Sequence, residues 1–152
     1  MNHSFLFSYL VWYNSQRNKV NKVKKEVEVA SAIIYNNDKI FCCQRPNKGE
    51  CALKWEFPGG KIETNETCEE ALHRELKEEL ACTVVIDSFV KTISYEYETF
   101  KLTMHTYKCH LTSPITLKEH VDAKWTTIDE MLKMDFALAD FELLTYLKEG
   151  NI

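Results

Sequence analysis

The spacing of apolar positions changes character several times along the chain, and each change predicts an element. Apolar and small residues dominate "VEVASAIIY" (Val27 to Tyr35) and resume in "KIFCCQ" (Lys39 to Gln44) after Asn36-Asn37-Asp38. Two strands, Val27–Tyr35 and Lys39–Gln44, joined by an Asn/Asp turn, are predicted there. Trp55–Phe57 is predicted extended, because the residue before Pro58 is pushed out of the helical region. Gly59 and Gly60 then permit a backbone course closed to residues with a Cβ. The period next lengthens: Leu72, Leu76 and Leu80 recur at i, i+4, i+8 behind a Thr67-x-x-Glu70 capping box, which predicts a core-facing helix. Two β-rich runs follow, Thr83–Glu98 and Lys101–Leu111, as a hairpin around Thr99-Phe100. Pro114 opens a connection to a strand at Val121–Thr126, and short helices are predicted near Ile128–Met134 and Asp140–Glu149. Strands of this number, mixed with a central and a C-terminal helix, predict an α/β fold: an α/β/α sandwich on a mixed β-sheet. A chain of 152 residues suits one domain of this kind.

Charge divides the chain in two. Residues 1–25 carry five basic side chains and no acidic one, whereas residues 26–152 hold 14 basic against 23 acidic, a net of −9. Residues 1–25 are thus an N-terminal extension of unassigned role, and 26–152 the domain proper. The apolar run "FLFSYLVWY", Phe5 to Tyr13, falls well short of the ~20 residues a bilayer span needs. It also lacks a basic leader and a small-residue cleavage site. A packed arm, an oligomer contact or an upstream start describes it better than a membrane anchor. The acidic body argues against binding a nucleic-acid polymer, which requires Lys and Arg against phosphates. A polyphosphate ligand would have to recruit cations. None of the six cysteines shows C-x-x-C spacing. They read as small buried hydrophobes in a reducing cytoplasm rather than a disulfide framework or a zinc site.

On a helical wheel Glu75, Glu78 and Glu79 fall within about 100° of one another, at the shoulder of the leucine stripe rather than opposite it. Two carboxylates roughly 5 Å apart repel by about 3 kcal/mol at an effective dielectric of 20 and by less than 1 kcal/mol in bulk water. Two readings are open. A solvated acidic face is tolerable, softened by Arg74 pairing with Glu70 or Glu78. Alternatively the three hold Mg²⁺, which takes oxygen ligands and is shared between carboxylates and substrate phosphates. His105, His110 and His120 read as ordinary strand or loop residues, and Trp55 and Trp125 as core.

The stretch "GKIETNETCEEALHRELKEELAC", Gly60 to Cys82, resembles the Nudix box, G-x5-E-x7-R-E-U-x-E-E-x-G-U, with U an apolar residue. Gly60, Glu66, Arg74, Glu75, Leu76, Glu78 and Glu79 fit the pattern. The late glycine is replaced by Ala81, and Cys82 takes the final apolar place. Beyond the box, "KWEFPGGKIE", "CCQRP", "EHVDAKW" and "DFALAD" resemble the MutT-type and CTP pyrophosphohydrolase-like branch of nucleoside triphosphate pyrophosphohydrolases, over about residues 26–148.

That resemblance implies a Nudix-type α/β/α sandwich and a cytoplasmic, monomeric or homodimeric enzyme with no membrane or nucleic-acid partner. Its substrate would be a nucleoside triphosphate such as CTP, dCTP or an oxidised nucleotide, cleaved to the monophosphate and pyrophosphate in nucleotide-pool sanitation. Its cofactor would be Mg²⁺, with Mn²⁺ as a substitute. Glu75, Glu78, Glu79 and Glu119 would hold the metal with the Gly59 carbonyl, and Glu75, Glu78 or Glu119 would serve as general base, Glu78 and Glu119 being favoured. Gly60, Glu66 and Arg74 would be structural. Lys61 and Arg45 would lie near the phosphates, and Arg45 and Asp140 against the base. Asp140 stands where MutT has asparagine. A carboxylate only accepts hydrogen bonds, which favours a donor-rich base edge over strict 8-oxoguanine selection. Asp140 also suits a helix N-cap. Two alternatives accompany this reading: a Nudix hydrolase of a nucleoside diphosphate linked to another group, such as ADP-ribose, and a nucleotide-sensing module without catalysis.

Overall fold

The computed structural model describes residues 8, 10–15 and 23–151. Of the apolar run near the N-terminus, residues 8 and 10–13 are helical and exposed; the rest of that run, and most of the N-terminal extension, lie outside the described residues. The elements are β1 (Lys25–Asn36), β2 (Lys39–Gln44), β3 (Trp55–Glu56), β4 (Gly59–Lys61), α1 (Cys68–Leu80), β5 (Val84–Glu96), β6 (Phe100–Leu111), β7 (Asp122–Thr126), α2 (Ile128–Met131) and α3 (Leu138–Lys148).

The strands form a sheet ordered β3-β2-β1-β6-β5, with β4 also paired to β1 and β7 to β2. β1 and β6 run parallel while the other pairings are antiparallel, so the sheet is mixed as expected. Period-two alternation in β1 feeds two cores. Ala30, Ala32 and Ile34 face α1 through its Ala71, Leu72, Leu76 and Leu80. Ile33 faces the opposite layer, where Leu143, Leu144 and Leu147 of α3 and Met131 of α2 pack. Each buried leucine of the α1 stripe contributes about 1.5–3 kcal/mol relative to exposure. The layers are those of an α/β/α sandwich. All six cysteines are unpaired, four of them buried. No helix among the described residues is long and apolar enough to cross a membrane.

Several boundaries differ from expectation, the main ones because distant segments pair. β4 carries no apolar period because two of its three residues are glycine; it exists because Gly59 and Gly60 pair with Ser31 and Ala30 of β1. α2 stops at Met131 rather than Met134, since the chain must reach β3: Trp55 N–H donates to the Asp135 carbonyl at 2.8 Å and Ala137 N–H to the Trp55 carbonyl at 2.9 Å. α3 begins at Leu138, with Ala137 as an N-cap that offers no side-chain bond. Asp140 therefore lies in the first turn and is not the cap. The β5–β6 turn spans 97–99, with Phe100 already in β6.

The capping box at the start of α1 forms in both directions. At its end Ala81 adopts the left-handed conformation, φ 48° and ψ 31°, with its N–H on the Lys77 carbonyl. The replaced glycine of the box thus leaves the same termination in place, at the cost of a Cβ in a strained region. Ala81→Gly is expected to stabilise the protein by about 0.5–1 kcal/mol, seen as a raised melting temperature with unchanged turnover.

Candidate active site

Two features of the sequence deliver the acidic helix to the diglycine segment. The leucine stripe fixes the rotation of α1, and β4 is pinned to β1 beside it. Gly60 allows the closest approach: a Cβ built there would stand 2.3–2.4 Å from the Glu75 carboxyl. Glu75 is accordingly mostly buried, its side chain 15% exposed, against 55% for Glu78 one turn on.

Arg74 organises the outer face of the cluster. Its Nε and Nη2 donate to the two oxygens of Glu66 at 2.6 and 3.0 Å, a bidentate grip. Nη1 donates to Glu75 at 2.8 Å and to Glu78 at 3.3 Å, and Nη2 also to the Lys61 carbonyl at 2.9 Å. Glu66 in turn accepts from the Glu63 N–H at 2.9 Å. Hydrogen bonds from Arg74, then from that backbone N–H, hold the Glu66 carboxyl down at about 2. Of the two partners expected for Arg74, Glu78 is engaged and Glu70 is not; Glu70 closes the capping box. A lysine cannot reproduce this fork. Arg74→Lys is expected to lower kcat by about 10–100-fold with the fold intact, read by steady-state kinetics and circular dichroism.

Glu79 sits on the inner side. One of its oxygens, Oε2, is out of reach of solvent and has no protein partner. Burial, then the charges of Glu56, Glu75 and Glu119, push its carboxyl up to about 8, against a lowering hydrogen bond with the Gly59 backbone. A buried, unpartnered carboxylate oxygen facing three further acids is destabilising by itself and is suited to a cation. The residues therefore fit a divalent ion. Glu119 reaches this group because the loop before β7 is tied to the end of α1: Thr116 N–H donates to the Leu80 carbonyl at 2.8 Å and Lys118 N–H to the Glu79 carbonyl at 2.9 Å.

Beside the cluster lies a cleft of about 660 Å³, within the range of small-ligand sites. Its wall includes Arg45, Glu56, Gly59, Lys61, Glu79 and Asp140. Glu75 and Gly60 also line it, whereas Glu78 and Glu119 do not. Lys61 is exposed. Arg45 Nη1 is held by Glu56 Oε2 at 2.9 Å. Asp140 is 6% exposed, and its Oδ1 accepts from the Phe57 N–H at 2.9 Å. Burial, then the charge of Glu56, raises the Asp140 carboxyl far above the usual range, despite the bond from Phe57 and the field of Arg45. A neutral carboxyl carries a donor as well as acceptors, so the acceptor-only reading of Asp140 does not follow from this environment.

Two residues of this region went unnamed as site residues. Glu56 touches both Arg45 and His120, the latter at 3.1 Å. The period of two held its signal, since Trp55 and Phe57 are core on the α3 side and Glu56 between them must face α1. His120, assigned to the loop, has a side chain only 3% exposed. His105 and His110 remain surface groups, paired with Glu28 and Asp87. Trp55 is core, and half-buried Trp125 packs edge-on against Phe41.

Comparison with known proteins gives consistent results. The NUDIX domain family model matches residues 29–146. A CTP pyrophosphohydrolase of Escherichia coli (strain K12) is 35% identical over 123 residues, covering 79% of this chain and 90% of that protein. An 8-oxo-dGTP diphosphatase of Proteus vulgaris is 38% identical over 82 residues, 53% of this chain and 73% of the relative. Among solved structures, the E. coli ORF135 protein superposes with a TM-score of 0.72 at 32% identity, covering 83% of this chain and 91% of that one. A MutT protein of the Nudix hydrolase family from Methicillin Resistant Staphylococcus aureus 252 gives 0.68 at 40%, covering 84% and 99%.

Proposed function

The chain belongs to the NUDIX domain family, and from that premise we propose that it is a Mg²⁺-dependent pyrophosphohydrolase of (deoxy)nucleoside triphosphates. It is a hydrolase acting on acid anhydrides, and its products are a nucleoside monophosphate and pyrophosphate. CTP, dCTP and oxidised nucleotides such as 8-oxo-dGTP are the substrate candidates, in keeping with the relatives' names.

The observation that carries this reading is the buried, unpartnered Glu79 oxygen beside Gly59, with Glu75 and Glu119 close by. Such a site is costly empty and complementary to a divalent ion. Glu75, Glu78, Glu79 and Glu119 would hold Mg²⁺ or Mn²⁺, with the Gly59 backbone. When bound, the ion neutralises the polyphosphate and makes water a better nucleophile. The protein's own groups do the rest. Lys61 and Arg45 draw the phosphates into the cleft, Arg45 and Asp140 meet the base, and Arg74 fixes Glu75 and Glu78. A carboxylate must accept the proton of the attacking water, whose oxygen bonds to phosphorus as pyrophosphate leaves. Glu119 is the better placed of the two favoured bases, because it stands outside the Arg74 web that engages Glu78. Glu119→Gln is expected to lower kcat about 10²–10⁴-fold with KM little changed; an equal loss confined to Glu78→Gln would transfer the role.

A nucleotide panel tests the substrate class. Rates of pyrophosphate release should be high with (d)NTPs under Mg²⁺. Cleavage of ADP-ribose instead, or binding without release, would move the chain to one of the alternative readings.

A further inference from the structure

β2 lies between β3 and β7, and this brings three unlike donors together. Cys43 is opposite Glu56 on one side and Ala123 on the other. The chain ahead of β7 stays on β2, with Val121 N–H on the Gln44 carbonyl at 3.1 Å, and so returns His120 over Glu56. The Cys43 sulfur, a Glu56 carboxylate oxygen and an imidazole nitrogen of His120 all lie within 4.8 Å of one another. We propose that Cys43, Glu56 and His120 form a site for a thiophilic divalent ion of the Zn²⁺ class, separate in chemistry from the carboxylate helix, and that its occupation inhibits the enzyme.

The donor set discriminates between ions. Mg²⁺ takes oxygen ligands, whereas thiol plus imidazole plus carboxylate suits Zn²⁺ or Co²⁺. Three protein ligands with one open position is a form zinc adopts where water or substrate completes the tetrahedron. With Zn–S near 2.3 Å and Zn–N or Zn–O near 2.0–2.1 Å, the donors need to lie roughly 3.3–3.8 Å apart. His120 and Glu56 are already at 3.1 Å, so the adjustment is about an ångström, mainly of the thiol. Glu56 is braced for the role, since Arg45 holds its other oxygen, the kind of support that orients a ligand. Cys43 is fully buried and the His120 side chain is 3% exposed, with Nδ1 buried and unpartnered. A plain packing role, with the thiol on the Glu56 carbonyl at 3.7 Å, accounts for Cys43 but not for a buried imidazole set against a carboxylate.

Binding replaces the Cys43 S–H bond by a sulfur–metal bond and passes that proton to solvent, so it strengthens with rising pH. The ion would place positive charge beside Glu79, whose field already reaches Cys43. Inhibition rests on the proposed hydrolytic function; binding does not.

The test uses the full chain, stripped of metal and titrated with Co²⁺ in excess Mg²⁺, which occupies the carboxylate helix. A thiolate-to-cobalt absorption band should rise to one ion per chain, reverse on adding Zn²⁺, vanish in Cys43→Ser, weaken in His120→Gln and persist in Cys68→Ser. No band, or one that survives Cys43→Ser, overturns the site. If Cys43→Ser does not fold, X-ray absorption of the zinc-loaded wild type decides: one sulfur scatterer near 2.3 Å supports it, and none overturns it. In the activity arm, Zn²⁺ should depress Mg²⁺-supported turnover about tenfold or more in wild type and under about twofold in Cys43→Ser. Equal inhibition of both refutes the inhibitory role, while absence of any turnover counts against the hydrolytic reading and leaves the cobalt result standing.

Discussion

Glu79→Gln is expected to lower turnover about 10²–10³-fold and, at the same time, to stabilise the metal-free protein above neutral pH. The two effects have one cause. Glu79 is held at about 8 in the fold by burial and by Glu56, Glu75 and Glu119, well above the ordinary carboxylate range. The folded chain therefore keeps a proton that the unfolded chain gives up from about pH 4.5 upward. Stability is fully present below that pH, drains away as pH rises, and is lost once pH passes about 8. At about 1.4 kcal/mol per pH unit the loss is on the order of a few kcal/mol. A glutamine removes the dependence. A bound divalent ion should remove it too, so the gain in melting temperature from Mg²⁺ over EDTA should grow between pH 6 and 8.5 in wild type and be small at all pH in Glu79→Gln. Melting curves at three pH values measure both; a wild-type gain that does not change with pH contradicts the assignment.

The second large effect separates two adjacent glycines. A Cβ at Gly59, where φ is +149°, would lie 2.0 Å from the Ala30 carbonyl oxygen and 2.8 Å from Ser31 Cα. Both are backbone atoms of β1 and cannot yield without breaking the pairing that creates β4. Gly59→Ala is expected to cost on the order of 3–5 kcal/mol, a large part of the stability of a domain this size. A Cβ at Gly60 first meets the Glu75 side chain, at 2.3–2.8 Å, and a side chain, unlike backbone, can shift, here at the cost of its bond from Arg74. Gly60→Ala should thus change stability by no more than about 1 kcal/mol, yet displace Glu75 and reduce turnover about 10²-fold. Denaturant melts and kinetics on the pair give crossed results if the diglycine segment is both a fold hinge and the seat of Glu75. Parallel losses in both variants would contradict that division.

Local signals were legible in the chain wherever one element sufficed to generate them. The leucine stripe and the Thr67–Glu70 box fixed α1 and its rotation, and the i, i+4 spacing offered Arg74 its contact with Glu78, but not its shorter bonds to Glu66 and Glu75. What stayed hidden depends on pairing between distant segments. β4 is a strand only because β1 accepts it. Asp140 is buried within α3 rather than capping it, because Ala137 is drawn to Trp55. Glu56 and His120 meet 64 residues apart in sequence, through the β3–β2–β7 order that no local period encodes.

The role proposed for the carboxylates on α1, with the loop hung from its end, is cleavage of a nucleoside triphosphate between its α and β phosphorus atoms. Phosphorus NMR of the full chain with CTP and Mg²⁺ measures this directly. CMP and inorganic pyrophosphate should appear together, with no reaction in EDTA and almost none with Glu79→Gln. CDP with orthophosphate, or turnover that survives either condition, would contradict it.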